Sequence, residues 1–163
     1  MKKNPTTQMV RFAMFASLTA VMTLLFRIPI PNGQGYLNIG DAVLLLAALL
    51  MGPAAGFWVG AIGSTLADMI AGYAMYMPFT FVVKGVEGLL AGALYKRTHT
   101  LSLSVFLPAL WMAGGYFLTD WFLYGLAAAL AAILMNLLQG ILGAVLAVVL
   151  FKILNPIFSK RTP

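Results

Sequence analysis

The stretch Ala54–Gly72, AAGFWVGAIGSTLADMIAG, is an apolar run close to the ~20 residues that cross a bilayer, with one charge, Asp68, near its far end. At 100° per residue, Gly56, Gly60, Gly63 and Ala67 share one stripe of a helix, and Ser64 and Asp68 drift to its flank. Small residues let helices approach closely in lipid, so the stripe reads as a packing surface. Asp68 does not fit that reading. A charge at hydrocarbon depth costs about 2.5–3.5 kcal/mol on insertion scales, so it faces a protein interior, pairs, or binds something.

The rest of the chain repeats the pattern. Its 163 residues are 62% hydrophobic and 9% charged, with mean hydropathy +0.96, against roughly a quarter charged in soluble domains. The expected fold class is an all-α integral membrane protein of six transmembrane helices in a single domain, residues 1–163, with no room for a soluble one. The spans are read as Met9–Phe26, Ile39–Met51, Ala54–Gly72, Pro78–Tyr95, Leu103–Tyr124 and Ala128–Leu154, the second short for a full crossing. Breaks fall at Pro29, Pro31 and Gly33, at Gly52-Pro53, from Gly72 to Pro78, at Lys96 to Thr100, and at Gly125. The N-terminus has the charge order of a signal peptide, but its long apolar run ends in no small-residue cleavage site and reads as a retained first span.

Placing the N-terminus inside puts Lys2, Lys3, Arg11, Lys96, Arg97, Lys152, Lys160 and Arg161 on the cytoplasmic side and leaves Arg27 outside. The positive-inside rule therefore selects N-in, C-in. The net charge of +6 is a topology signal carried by the ends and one loop, and no aromatic-interleaved basic face points to nucleic acid. Without cysteine, neither disulfides nor thiolate metal sites arise, and His99 beside Lys96 and Arg97 reads as a solvated loop residue. No metal site and no cofactor are expected.

In this orientation Asp68, Lys84, Glu87, Asp120, Asn136 and Gln139 all fall in the outer half of the bundle. Lys84, Glu87, Gly88 and Ala91 share a face of the fourth span, and Asn136, Gln139, Gly140, Gly143 and Ala147 share a face of the sixth. Both faces are polar outside and small inside, which predicts an extracellular-facing pocket over a sealed floor. The bland alternative is Lys84 paired with Glu87 or Asp68, with Asn136 and Gln139 acting as interhelical glue. An Asp68–Lys84 or Glu87–Lys84 contact touching ligand is expected. Tyr36, Tyr73, Tyr76, Phe79, Trp121 and Tyr124 gather at the same level, as an interfacial belt or as one or two walls for a flat ring. The connection Arg27–Asp41 reads equally as a lid or as a plain connector. Ala13, Ala16, Ser17 and Ala20 form a small-residue strip on the first span that packs inside the bundle or docks a partner.

The chain carries no G-x-x-x-x-G-K loop, H-E-x-x-H or G-x-S-x-G, so no ATP hydrolysis and no familiar catalytic site are expected. No polar path continues into the inner half. A one-sided pocket captures a solute but does not move it unaided. The alternatives weighed are a self-sufficient ion-coupled secondary transporter, proton-coupled through Asp68, Glu87 or Asp120, and a membrane assembly or interaction protein. An internal repeat is not evident.

Three motifs carry a resemblance: Leu37-Asn38-Ile39-Gly40-Asp41, Gly63-Ser64-x-x-Ala67-Asp68-x-x-x-Gly72-Tyr73, and Pro78-x-Thr80-Phe81-x-x-Lys84-Gly85. Through them the chain resembles the substrate-binding S components of energy-coupling factor (ECF) vitamin transporters, in the branch associated with riboflavin, pyridoxine or hydroxymethylpyrimidine. The resemblance implies a multi-pass protein of the bacterial cell membrane that binds a vitamin from outside. It also implies docking on a transmembrane coupling (T) subunit with two ATPase subunits, and transport by tilting of the whole bundle. By position it suggests Asn38, Asp41, Lys84, Glu87, Asp120, Asn136 and Gln139 as ligand contacts, beside Asp68 and Tyr76. It further suggests Ala16 and Ala20, with Ala13, as the docking strip.

Overall fold

The structure is a computed structural model that describes residues 5–29 and 35–159. Lys2, Lys3, Lys160 and Arg161, and the part of the first connection that includes Pro31 and Gly33, lie outside the described residues. Six helices follow in order: α1 Pro5–Leu25, α2 Gly40–Met51, α3 Pro53–Ala71, α4 Met77–Thr98, α5 Leu101–Tyr124 and α6 Leu126–Ser159. Five are long and apolar enough to cross a membrane, and α2 is shorter. A helix stands at each of the six expected places among the described residues, with ends shifted by a few residues, and five of the six are long enough to span. Between α1 and α2 the chain adds something the sequence reading lacked, a two-residue antiparallel pairing of β1 (Ile28–Pro29) with β2 (Tyr36–Leu37).

Local chemistry sets the boundaries. Pro53 opens α3 directly after Gly52, whose φ of 93° breaks the preceding helix, and Pro78 lies in the first turn of α4. A proline costs nothing at a position where no N–H is needed. Gly72 ends α3 in the left-handed region, where glycine has no Cβ penalty.

Helix α2 is the axis. Its 12 residues rise only about 18 Å, short of the ~30 Å hydrocarbon core, and Gly40 through Leu49 are buried. Around it Leu44, Leu45, Val59, Ala91, Val105, Ala144, Ala147 and Phe151 form the apolar core. Because α2 begins partway through the bundle, its N-terminus and first-turn carboxylate, Asp41, lie inside protein.

The α3 stripe packs as expected. A Cβ on Gly56 would meet the backbone of Gly88, one on Gly88 would meet the backbone of Gly56, and one on Gly60 would meet the Lys84 carbonyl. The two backbones therefore touch along half of α3 and α4. Gly63 faces the Ala16 carbonyl and Thr19 of α1. In lipid, where apolar burial does not drive helices together, such close approach supplies the dispersion contact that does.

Candidate functional site

Where the small-residue stripes end, the same helices carry polar side chains that converge. A cavity is lined by Thr23 of α1, Gly35, Tyr36 and Asn38 of the hairpin segment, and Ser64 and Asp68 of α3. Tyr73 and Tyr76 of the α3–α4 turn, Thr80 and Lys84 of α4, Tyr116 and Asp120 of α5, and Asn136 and Gln139 of α6 complete it. Its free volume is about 40 Å³, room for two or three waters, whereas about 150 Å³ holds a benzene ring in an engineered protein cavity.

The floor is one connected network. Lys84 Nζ donates to Asp41 Oδ1 and, at 3.0 Å, to Glu87 Oε2; Lys84, Asp41 and Glu87 are 2%, 1% and 0% exposed. Gln139 Nε2 donates to Asp41 Oδ2 at 2.9 Å, and its Oε1 accepts the Asn38 backbone N–H at 3.0 Å and the Asn38 amide at 3.3 Å. Asn38 Oδ1 in turn accepts the Gly40 N–H at 2.9 Å and the Thr23 hydroxyl at 3.3 Å. The positive end of α2 adds favourable field at Asp41. A buried ion pair persists only when hydrogen bonds complete it; the Gln139 amide does so for Asp41, while Glu87 Oε1 has no partner among the described residues.

Two tyrosine–aspartate bonds span the mouth. The Tyr36 hydroxyl donates to Asp68 Oδ1 at 2.6 Å, and the Tyr76 hydroxyl donates to Asp120 Oδ1 at 2.5 Å. Both hydroxyls are held well above the ordinary tyrosine range, first by burial and then by the neighbouring carboxylate. Tyr73 stands edge-on to Tyr36 and Tyr76, at 5.0 and 6.1 Å between ring centroids. Arg27 lies 5.8 Å from the centre of the Tyr36 ring and donates to the Ala71 carbonyl at 3.4 Å. The hairpin thus rests on the polar end of α3. The 30–34 part of the expected lid lies outside the described residues.

All nine sequence-selected polar and aromatic positions come together. Asn38, Asp68, Tyr76, Lys84, Asp120, Asn136 and Gln139 line the cavity, and Asp41 and Glu87 hold Lys84 from behind. The expected Glu87–Lys84 contact is present. The Asp68–Lys84 alternative is replaced, because Asp41 reaches Lys84 from the short α2 while Tyr36 takes Asp68. Sequence reasoning missed Thr23, Thr80 and Tyr116. The signal was one helical turn away: Thr80 precedes Lys84, and Tyr116 precedes Asp120, by four residues, and their hydroxyls lie 3.1 Å apart. Of the aromatic group, Tyr36, Tyr73 and Tyr76 face the cavity, while Trp121 and Tyr124 point outward, as a belt does.

The small-residue strip on α1 divides: Ala16 and Ala20 pack inside the bundle, the first of the two readings, while Ala13 is exposed. Ala16 and Ala20 are only 6% and 7% exposed, and at Ala16 the backbone of α1 meets Gly63 of α3. Ala13 and Ser17, one face over, are exposed among Val10, Met14 and Val21.

Against known proteins, the family model described as ECF-type riboflavin transporter, S component, matches residues 3–156. Over 113 residues the chain is 43% identical to an uncharacterized protein in gap 3'region of Pyrococcus woesei, covering 68% of this chain and 76% of that one. Over 119 residues it is 34% identical to the thiamine precursor transporter HmpT of Lactococcus lactis subsp. cremoris (strain MG1363), covering 72% and 69%. A UPF0397 protein of Streptococcus agalactiae is 31% identical over 97 residues, 60% of this chain and 53% of its own length.

Proposed function

The chain belongs to the S components of ECF-type riboflavin transporters, a membrane family of vitamin uptake, and from that premise we propose that it captures one small heterocyclic vitamin or precursor in the cavity between α3, α4, α5, α6 and the hairpin. A pyrimidine or pyridine ring, as in hydroxymethylpyrimidine or pyridoxine, is favoured over the larger riboflavin. The tight cavity supports this choice, since a single ring demands the least expansion, and so does the relative that carries a thiamine precursor.

One observation carries the reading. Polar groups from five helices and the hairpin converge at one end of the bundle, while the other half of α3 and α4 is closed by backbone against backbone. With Arg11, Lys96, Arg97 and Lys152 at the closed end, the positive-inside rule turns the cavity outward. Asn38, Asp68, Tyr76, Lys84, Asp120, Asn136 and Gln139 are the proposed contacts, and Asp41 and Glu87 fix Lys84. Uptake then depends on a transmembrane coupling subunit with two ATPases, docked on the exposed Ala13 and Ser17 face of α1.

Native mass spectrometry of the gently purified chain tests the proposal. The expected spectrum contains the protein plus one ring compound. Absence of any adduct, together with no calorimetric binding of hydroxymethylpyrimidine, pyridoxine or riboflavin, overturns it.

A further inference from the structure

The chain has four acidic side chains, Asp41, Asp68, Glu87 and Asp120, and all four lie in or beneath the cavity. Lys84 is the one cation among the described lining residues. Its ammonium is consumed by Asp41 and Glu87, and it lies 5.6 Å from the centre of the Tyr116 ring. An anionic group entering the cavity therefore meets no free positive charge, and two carboxylates face it.

Those two carboxylates have capacity left over. Asp68 is 6% exposed, and its Oδ2 is buried without a hydrogen-bond partner among the described residues. Glu87 Oε1 is also unpartnered, but Glu87 does not line the cavity. Asp120 Oδ1 is used by Tyr76, and no hydrogen bond among the described residues engages its Oδ2. A buried, unmatched acceptor costs the full desolvation of that group unless something supplies a donor. Within the cavity wall, Tyr36 is committed to Asp68 Oδ1 and Tyr76 to Asp120, while the Thr80 hydroxyl, 3.1 Å from that of Tyr116, also faces the Asp68 carboxylate without closing a hydrogen bond to Oδ2.

Resting on the vitamin-binding reading above, we propose that Asp68 is the specificity-determining residue and that the cargo is an uncharged or cationic aminoheterocycle, whose exocyclic amine donates to Asp68 Oδ2. Asn136, which lines the cavity with no side-chain hydrogen bond among the described residues, supplies an amide able to match a ring nitrogen. Phosphorylated forms of the same ring are rejected, because a buried anion beside two carboxylates is left unpaired.

Isothermal titration calorimetry on the purified full chain in lipid nanodiscs tests this with three probes. They are 4-amino-5-hydroxymethyl-2-methylpyrimidine, the same ring with hydrogen in place of the amine, and the phosphate ester of the amine-bearing ring. The expected result is a loss of about 10- to 100-fold on removing the amine, the range for a hydrogen bond to a charged group, and a greater loss for the phosphate ester. In Asp68→Asn the amine-bearing and amine-free rings should bind within a few-fold of each other. Because the first comparison uses unaltered protein, misfolding of the variant leaves the test intact. Equal binding of the two uncharged rings, tightest binding of the ester, or binding of riboflavin but neither pyrimidine overturns the amine assignment and leaves vitamin capture standing. Failure of every ring compound overturns both.

Discussion

Lys84 and Asp41 lie 43 positions apart in sequence and form a buried ion pair between α4 and the first turn of α2. The pair exists because α2 is too short to span, which brings its N-terminus to the depth of the fourth helix's lysine. Glu87, one turn further along α4, accepts a second hydrogen bond from Lys84, so the ammonium acts as a structural keystone in the cavity floor.

Breaking that arrangement from one side is therefore costly. Lys84→Met leaves two buried carboxylates facing each other and should destabilise the folded bundle by about 3–5 kcal/mol. Lys84→Met combined with Asp41→Asn and Glu87→Gln should recover most of the loss. Thermal unfolding in detergent, followed by circular dichroism, checks both. A single variant as stable as the parent would show that the network contributes nothing.

The glycines divide sharply. Gly88→Val drives a side chain into the Gly56 backbone and should prevent α3 and α4 from meeting, read as loss of a monodisperse peak on size exclusion. Gly114 has nothing within reach of an added Cβ, so Gly114→Ala should be neutral or stabilise by about 0.5–1 kcal/mol through helix propensity.

The tyrosine–aspartate bonds tie together the walls of a space, about 40 Å³, too small for a ring. Tyr36→Phe with Tyr76→Phe removes two hydrogen bonds to carboxylates, each worth about 1.5–3 kcal/mol. Association of hydroxymethylpyrimidine in stopped flow should then accelerate by about tenfold or more. An unchanged or slower rate would mean that entry follows another route.

The same hydroxyls give a spectroscopic signature. Burial and the adjacent carboxylates raise their ionisation above the usual range near 10. The unfolded chain loses these protons first, so their contribution to stability is complete below pH 10 and declines as pH rises beyond it. In the folded protein the tyrosinate absorbance step near pH 10 should have the same amplitude before and after the double phenylalanine substitution.

On α1, Ala13→Trp with Ser17→Trp places bulk on an exposed face. Uptake by cells carrying the coupling module should fall to background while calorimetric ligand binding is retained. Ala16→Trp and Ala20→Trp instead drive bulk into buried positions and should lose the fold. Normal uptake by the first pair would move the docking surface elsewhere.

Much of this was legible in the sequence. Apolar runs between Gly and Pro breaks placed all six helices, and helical periodicity put Lys84 with Glu87 and Asn136 with Gln139 on single faces. Pairing across helices was harder to read: Asp68 was the cross-helix partner expected for Lys84, and Asp41 emerges as one only once the depth of α2 is known. The hairpin was illegible because two residues per strand carry no alternation to detect. The α1 strip was left between packing and docking because an Ala-x-x-x-Ala spacing marks close approach without saying whether a neighbouring subunit or the chain's own third helix makes it, and at Ala16 the third helix does.

The contact of Gly56 with Gly88 has a mechanical consequence. Rotating side chains cannot part a seam made of main chain, and prising it apart would forfeit the packing that holds the two helices together in lipid. In the proposed role the protein is thus a vessel rather than a conduit: each cargo molecule needs its own displacement of the body that holds it, and throughput is set by the external machine supplying that work.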